Sequence, residues 1–194
     1  MKAVRRRFVA ELYRRNTEHD ASKTDRLERF RSVEEATAEL LGILIRARNA
    51  QRILELGTSS GYSTIWLADA SEATGGKVVS VDADPERTKL ARKNLERVLL
   101  VDRVDLRTED AEFTLRNSPA NAWDFIFLDA ERPAYPGYLA DLMRVLDERG
   151  LLAIDNVLSH EHELVDFTRA IEAERDLSQT VVPVGAGLRV AIKN

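Results

Sequence analysis

From Arg52 onward, short apolar and β-branched runs alternate with stretches of helical periodicity, and no other feature restricts the fold as strongly. The candidate strands are residues 52–56, 77–81, 103–106, 125–128 and 151–154. The helical patterns between them cover residues 63–70, 85–98, 111–116 and 136–146. Parallel neighbours need a crossover, so this repetition predicts an α/β fold with a mostly parallel sheet and helices on both faces. The C-terminal stretch departs from the pattern. After a helix near residues 161–173, two apolar runs at 180–184 and 188–192 flank Gly185-Ala186-Gly187, which predicts an antiparallel hairpin.

Residues 1–50 read as a helical extension and residues 51–194 as the α/β part of what is one structural domain by size. Val4, Phe8, Val9, Leu12 and Tyr13 fall at helical spacing. A short helix is expected over residues 25–30. Ser32 and Glu35 form an S-x-x-E pattern that predicts a capping box opening a third helix. The first 52 residues carry a balance of +5, and the rest is acidic enough to bring the chain to −4. That acidic body argues against general nucleic-acid binding, although the basic leader could meet an anionic partner. With no Cys, disulfides, thiolate zinc sites and cysteine nucleophiles are excluded. No apolar run is long enough for a membrane span, and the N-terminus lacks an apolar signal region, so a cytoplasmic setting is expected.

Four strand ends carry the candidate chemistry. Glu55-Leu56-Gly57-Thr58-Ser59-Ser60-Gly61-Tyr62-Ser63 follows the first strand and opens the first crossover helix. Ligands of open α/β sheets bind at such carboxyl ends. The spacing is not the dinucleotide G-x-G-x-x-G, because Ser59 stands where the middle Gly would be. Asp82 ends the second strand, where an acid can accept both hydroxyls of a ribose. The neighbouring Asp84, followed by Pro85, is the better helix cap. Asp129 ends the fourth strand, and Asp155-Asn156 ends the fifth. Two carboxylates and an amide oxygen make a hard, all-oxygen set that suits Mg²⁺ or another divalent cation.

From about Ser32 to its end, the chain resembles the metal-dependent, S-adenosylmethionine-dependent O-methyltransferases, the group that includes catechol and caffeoyl-CoA methyltransferases and small bacterial relatives. The resemblance lies in Glu55–Ser63, Asp82, Glu109-Asp110-Ala111, Phe127-Leu128-Asp129-Ala130, Tyr135 to Tyr138, Asp155-Asn156-Val157-Leu158 and Val182-Pro183-Val184-Gly185-Ala186-Gly187-Leu188, in matching order and spacing. It implies a Rossmann-like methyltransferase sheet of seven strands with the last one antiparallel. It also implies that Gly57, Ser59 and Ser63 line the methionine and ribose side of the cofactor, with Glu55, Gly61 and Tyr62 in the same motif. Asp82, beside Ala83, would hold the ribose, and Asp110 and Ala111 would flank the adenine. Asp129 would touch the cofactor and, with Asp155 and Asn156, be a metal ligand. The implied reaction is methyl transfer to a hydroxyl of a small, catechol-like aromatic acceptor. A homodimer is also implied, with the N-terminal helices as candidate interface.

Two departures stand out. The family commonly places a Lys three residues after the first metal Asp, as general base; here Arg132 occupies that position and stays protonated. Arg132 could pair with Glu131, bind an acidic group of the substrate or stabilise a phenolate. After Leu158 the chain gives Ser159-His160-Glu161-His162 and is expected to run straight into a helix, leaving a more open pocket. Two residues apart on a helix, His160 and His162 would face different ways. His160, nearer the expected metal, is the candidate replacement base. An alternative acceptor is a hydroxylated tRNA base, against which the overall acidity counts. Further rivals are a nicotinamide-dependent oxidoreductase and a cofactor-binding subunit without catalysis.

Overall fold

The computed structural model describes all 194 residues, Met1–Asn194. Its helices are α1 (Ala3–Ala21), α2 (Glu35–Arg48), α3 (Tyr62–Thr74), α4 (Pro85–Arg97), α5 (Ala111–Asn117), α6 (Tyr135–Val145) and α7 (Val165–Glu172). The strands are β1 (Arg52–Leu56), β2 (Lys77–Asp82), β3 (Val104–Thr108), β4 (Trp123–Leu128), β5 (Leu146–Ile154), β6 (Leu177–Val182) and β7 (Leu188–Lys193). They form one sheet in the order β3-β2-β1-β4-β5-β7-β6. The first five are parallel; β7 runs antiparallel between β5 and β6. This is the Rossmann-like seven-stranded sheet expected from the sequence, with the C-terminal hairpin in place.

Successive side chains of a strand face opposite ways, so each central strand feeds two cores. Ile53, Phe125, Phe127, Leu151 and Ala153 face α1, α2 and α3. Leu54, Leu56, Ile126, Leu128, Leu152 and Ile154 face α5, α6 and α7. The N-terminal helices are not a separate body. Val9 and Leu12 of α1 and Leu41 and Ile45 of α2 lie in the first core, and the buried Arg5 donates to Asp69 and Glu72 of α3 and to the carbonyl of Val98. No helix is long and apolar enough to cross a membrane.

Several local expectations are corrected. The stretch expected as a helix over 25–30 is one 3-10 turn, Arg26–Glu28, capped by Asp25. Ser32 does not cap α2: the helix starts at Glu35 after Glu34, and Ser32 Oγ instead accepts from Asn16 Nδ2 at 2.8 Å. Tertiary contact with α1 wins over the local capping pattern. The helix expected over 161–173 is broken into a 3-10 turn, Glu161–Glu163, and α7. Strand β6 begins at Leu177, earlier than residue 180, because its partner β7 extends to Lys193.

Candidate active site

Strand order reverses beside β1, which lies between β2 and β4, so the chain leaves the carboxyl ends of these strands in diverging directions. The cleft that opens there has a volume of about 660 Å³. Gly57 leaves β1 with φ +110°, and a side chain on it would bring Cβ to 2.1 Å from the carbonyl oxygen of Asp129. Only glycine permits the β1 and β4 loops to approach this closely. Ser59 donates its N–H to Asp82 Oδ2 at 2.7 Å, and Asp82 Oδ1 accepts from the N–H of Asp84 at 3.0 Å. The Asp82 carboxylate is thereby oriented toward the loop, with lone pairs left on both oxygens. Asp84 caps α4 through Glu86 N–H, which leaves Asp82 free for a ligand, as its position suggested.

Beneath this loop lies Glu55. It is fully buried and does not reach the cleft, so its expected contact with a cofactor is replaced by a supporting one. Ser63 and Thr64 of α3 and Ser80 of β2 all donate hydroxyls to its carboxylate, at 2.5, 2.5 and 2.6 Å. Burial pushes its pKa up to about 7, against the pull of those three donors. Asp110 lines the cleft and also caps α5 through Glu112 N–H, with Ala111 beside it.

The second constellation spans β4 and β5. Asn156 adopts φ +66°, which turns its side chain back between two acids: Nδ2 donates to Asp129 Oδ1 and to Asp155 Oδ2, both at 3.1 Å. Asp155 is 2% exposed and its Oδ1 is buried with no hydrogen-bond partner. Burial, followed by the charge of Asp129, raises the Asp155 pKa; burial also raises that of Asp129, opposed chiefly by Arg31 and Arg132. An orphaned carboxylate oxygen and two like charges in one buried place are what a cation would relieve. Turning the Asn156 amide over would present its oxygen alongside the two carboxylates, so this set fits a hard divalent ion. Asp155 sits just behind the cleft wall, whereas Asp129 and Asn156 line it.

Arg132 is buried, 4% exposed, and its Nε donates to Glu163 Oε2 at 2.9 Å rather than to Glu131. Glu131 is held by Arg26 and Arg31 instead. His160 and His162 both line the cleft, with ring centres 6.5 Å apart. The expectation that they diverge on one helix fails because His160 precedes the 3-10 turn that holds His162. His160 Nδ1 lies 2.7 Å from Ser159 Oγ, and burial, with the charge of Arg132, lowers its pKa. Tyr62 and Tyr138 line the cleft, while Tyr135 is core, its hydroxyl donating to the carbonyl of Ala130.

Sequence reasoning missed one wall. The strap from Arg26 to Val33, which begins with the first 3-10 turn and leads to α2, lines the cleft through Arg26, Arg29, Phe30 and Arg31. Ser59 Oγ donates to the Phe30 carbonyl at 2.7 Å, and Arg87 donates to the carbonyls of Leu27 and Arg29. The available signal was its density of arginine in a stretch without strong periodicity.

Comparison with known proteins gives the same assignment. Residues 3–194 match the model of the O-methyltransferase family. A catechol O-methyltransferase of Mycobacterium tuberculosis is 32% identical over 160 residues, covering 81% of this chain and 70% of that one. A catechol O-methyltransferase of Niastella koreensis is 35% identical over 130 residues, covering 66% of this chain; the alignment spans only 58% of that protein's length. The crystal structure of an O-methyltransferase from Bacillus cereus in complex with SAH superimposes with a TM-score of 0.79 at 28% identity, covering 96% of this chain and 90% of that one. With the family pattern running from α1 to the last strand, the chain belongs to the O-methyltransferase family.

Proposed function

We propose that the protein transfers a methyl group from S-adenosylmethionine to a hydroxyl of a small aromatic acceptor with two adjacent oxygens, assisted by a divalent cation. The observation that carries this reading is the placement of three acids on one rim. Asp82 ends β2 beside the Gly57–Ser59 turn, and Asp129 and Asp155, following β4 and β5, close on Asn156. The SAH complex of the Bacillus cereus relative supports the cofactor, and the names of the catechol relatives support the acceptor class.

Each residue has a distinct part. Asp82 accepts the ribose hydroxyls through the lone pairs that Ser59 and Asp84 leave free. Asp110 and Ala111 border the adenine end. S-adenosylmethionine supplies a methyl group already activated on sulfonium, so the protein's task is to align an oxygen with it. Asp129, Asp155 and Asn156 would hold the cation, which when bound lowers the pKa of an acceptor hydroxyl and fixes its direction. Arg132 cannot take the proton, but its fixed charge favours an ionised acceptor oxygen. His160, which lines the cleft with its pKa lowered, is the side chain that would accept the proton.

The test is transfer of labelled methyl from S-adenosylmethionine to catechols, flavonoids, caffeoyl esters and bulk tRNA, with Mg²⁺ or with chelator. We expect label on the catechol-type acceptors, loss with chelator, and loss in Asp155→Ala while most cofactor affinity remains. Undiminished turnover in chelator would remove the cation from the mechanism, and label only on tRNA would overturn the acceptor class.

A further inference from the structure

The acceptor end of the cleft holds more cationic hydrogen-bonding capacity than the protein itself uses. The buried guanidinium of Arg132 makes one hydrogen bond, through Nε to Glu163. Its two terminal amino groups have no protein acceptor and are not sealed from solvent, and the residue lines the cleft. Arg31 approaches from the strap. It makes one hydrogen bond, Nη2 to Glu131 Oε1 at 2.5 Å, and its Nε is buried with no acceptor. Both side chains line the same cleft. Arg26 completes the group by pairing with Glu131 and Glu163. Three guanidiniums thus face two glutamates, and the other acids at this end, Asp129 and Asp155, are the ones assigned to the cation.

We infer that the acceptor is an anion: an aromatic acid with two adjacent hydroxyls, whose carboxylate docks on Arg31 and Arg132 while its hydroxyl oxygens face Asp129 and Asn156. This rests on the methyl-transfer reading of the site. A planar carboxylate matches the open fork of a guanidinium in a two-point contact, which an ammonium in the same place would not offer. The terminal amino groups of Arg132, which have no acceptor in the protein, then gain one. A neutral acceptor of the same shape would leave the terminal groups of Arg132 to water, without the charge-assisted contact that a carboxylate makes.

The experiment compares dihydroxybenzoates with the matching dihydroxybenzamides. Binding is measured by calorimetry to the protein loaded with S-adenosylhomocysteine and Mg²⁺, and turnover with labelled S-adenosylmethionine. The acid should bind about tenfold tighter than the amide or better, the range expected for a charge-assisted contact. In Arg31→Gln that ratio should fall toward one, and Arg31→Lys should retain part of it. Equal binding of acid and amide by the wild type overturns the inference, whether or not methyl is transferred. So does a ratio unchanged in Arg31→Gln. Selective binding of the acid with no methyl transfer to either compound would leave the anion site standing and overturn the methyl-transfer reading.

Discussion

Replacing Glu55 by Gln should change how stability depends on pH. The carboxyl is fully buried, and its pKa is raised from 4.5 to about 7. The native protein therefore keeps the Glu55 proton to a higher pH than the unfolded chain does. Between about pH 4.5 and about pH 7 the unfolded chain releases that proton first, so stability is full at the acid end and falls as pH rises through the native value. At about 1.4 kcal/mol per pH unit, the displacement corresponds to about 3 kcal/mol. Glu55→Gln has no proton to lose. Its amide can still accept from Ser63 or Thr64, and the hydroxyls, which both donate and accept, can turn to meet the new N–H groups. Whatever that rearrangement costs is independent of pH. Urea unfolding followed by circular dichroism, from about pH 5 to about pH 8, gives the stability difference between the two proteins. The variant should gain on the wild type by about 2.5 kcal/mol across this range. Asp129 and Asp155 titrate in both proteins, so the difference keeps only the Glu55 contribution and its charge coupling to Asp129. A difference that stays constant over the whole range would refute the account of Glu55 as a buried acid that ionises at a cost.

Gly57→Ala forces a Cβ into the carbonyl of Asp129 at a positive φ, and should lower stability by about 3 kcal/mol, read as a fall in Tm of about 6 to 12 °C; an unchanged Tm would show that the two loops do not meet as described. Asp82→Asn keeps one acceptor oxygen but turns N–H groups toward Ser59 and the ribose, and should weaken S-adenosylmethionine binding at least about tenfold by calorimetry. Unchanged affinity in a folded variant would remove Asp82 from the cofactor site. For Arg132, turnover of the wild type should rise with pH toward the pKa of the acceptor hydroxyl, and Arg132→Met should be slower by about ten- to a hundredfold. A fully active Arg132→Met with a flat pH–rate profile would make that residue peripheral.

The parts of the fold legible in the sequence were those with a strict period. β1, β2, β4 and the buried half of β5 are short, mostly apolar runs between helices, and the three acids at strand ends were visible because an acid closing an apolar strand is conspicuous. The missing pieces were set by contacts between distant segments. Ser32 has the right spacing to cap α2, but Asn16, sixteen residues earlier, claims its hydroxyl. His160 and His162 share a wall because Ser159 and Leu158 donate to the turn at Ala186, which prevents a helix from starting there. Glu55 looked like a ligand contact from its place in the motif, and only the register of β1 against β2 shows that it points at Ser80, beneath the loop. Glu163 as the partner of Arg132 lies 31 residues away and had no local signal.

The hairpin of β6 and β7 has a bearing on biosynthesis. Strand β7 pairs with β5 across residues 189–192, and the turn at Ala186 and Gly187 accepts the N–H groups of Val157, Leu158 and Ser159. The loop carrying Asp155 and Asn156 is thus braced by some of the last residues of the sheet to be translated. While the ribosome still covers residue 192, β5 is a bare edge, and the acids that would hold a cation have no brace behind them. Function must therefore switch on late, after the strap and both glycine-rich turns are already outside. A stalled chain would display an open, adhesive strand instead of a working cleft, and chaperone contacts in that interval should concentrate on residues 151–154.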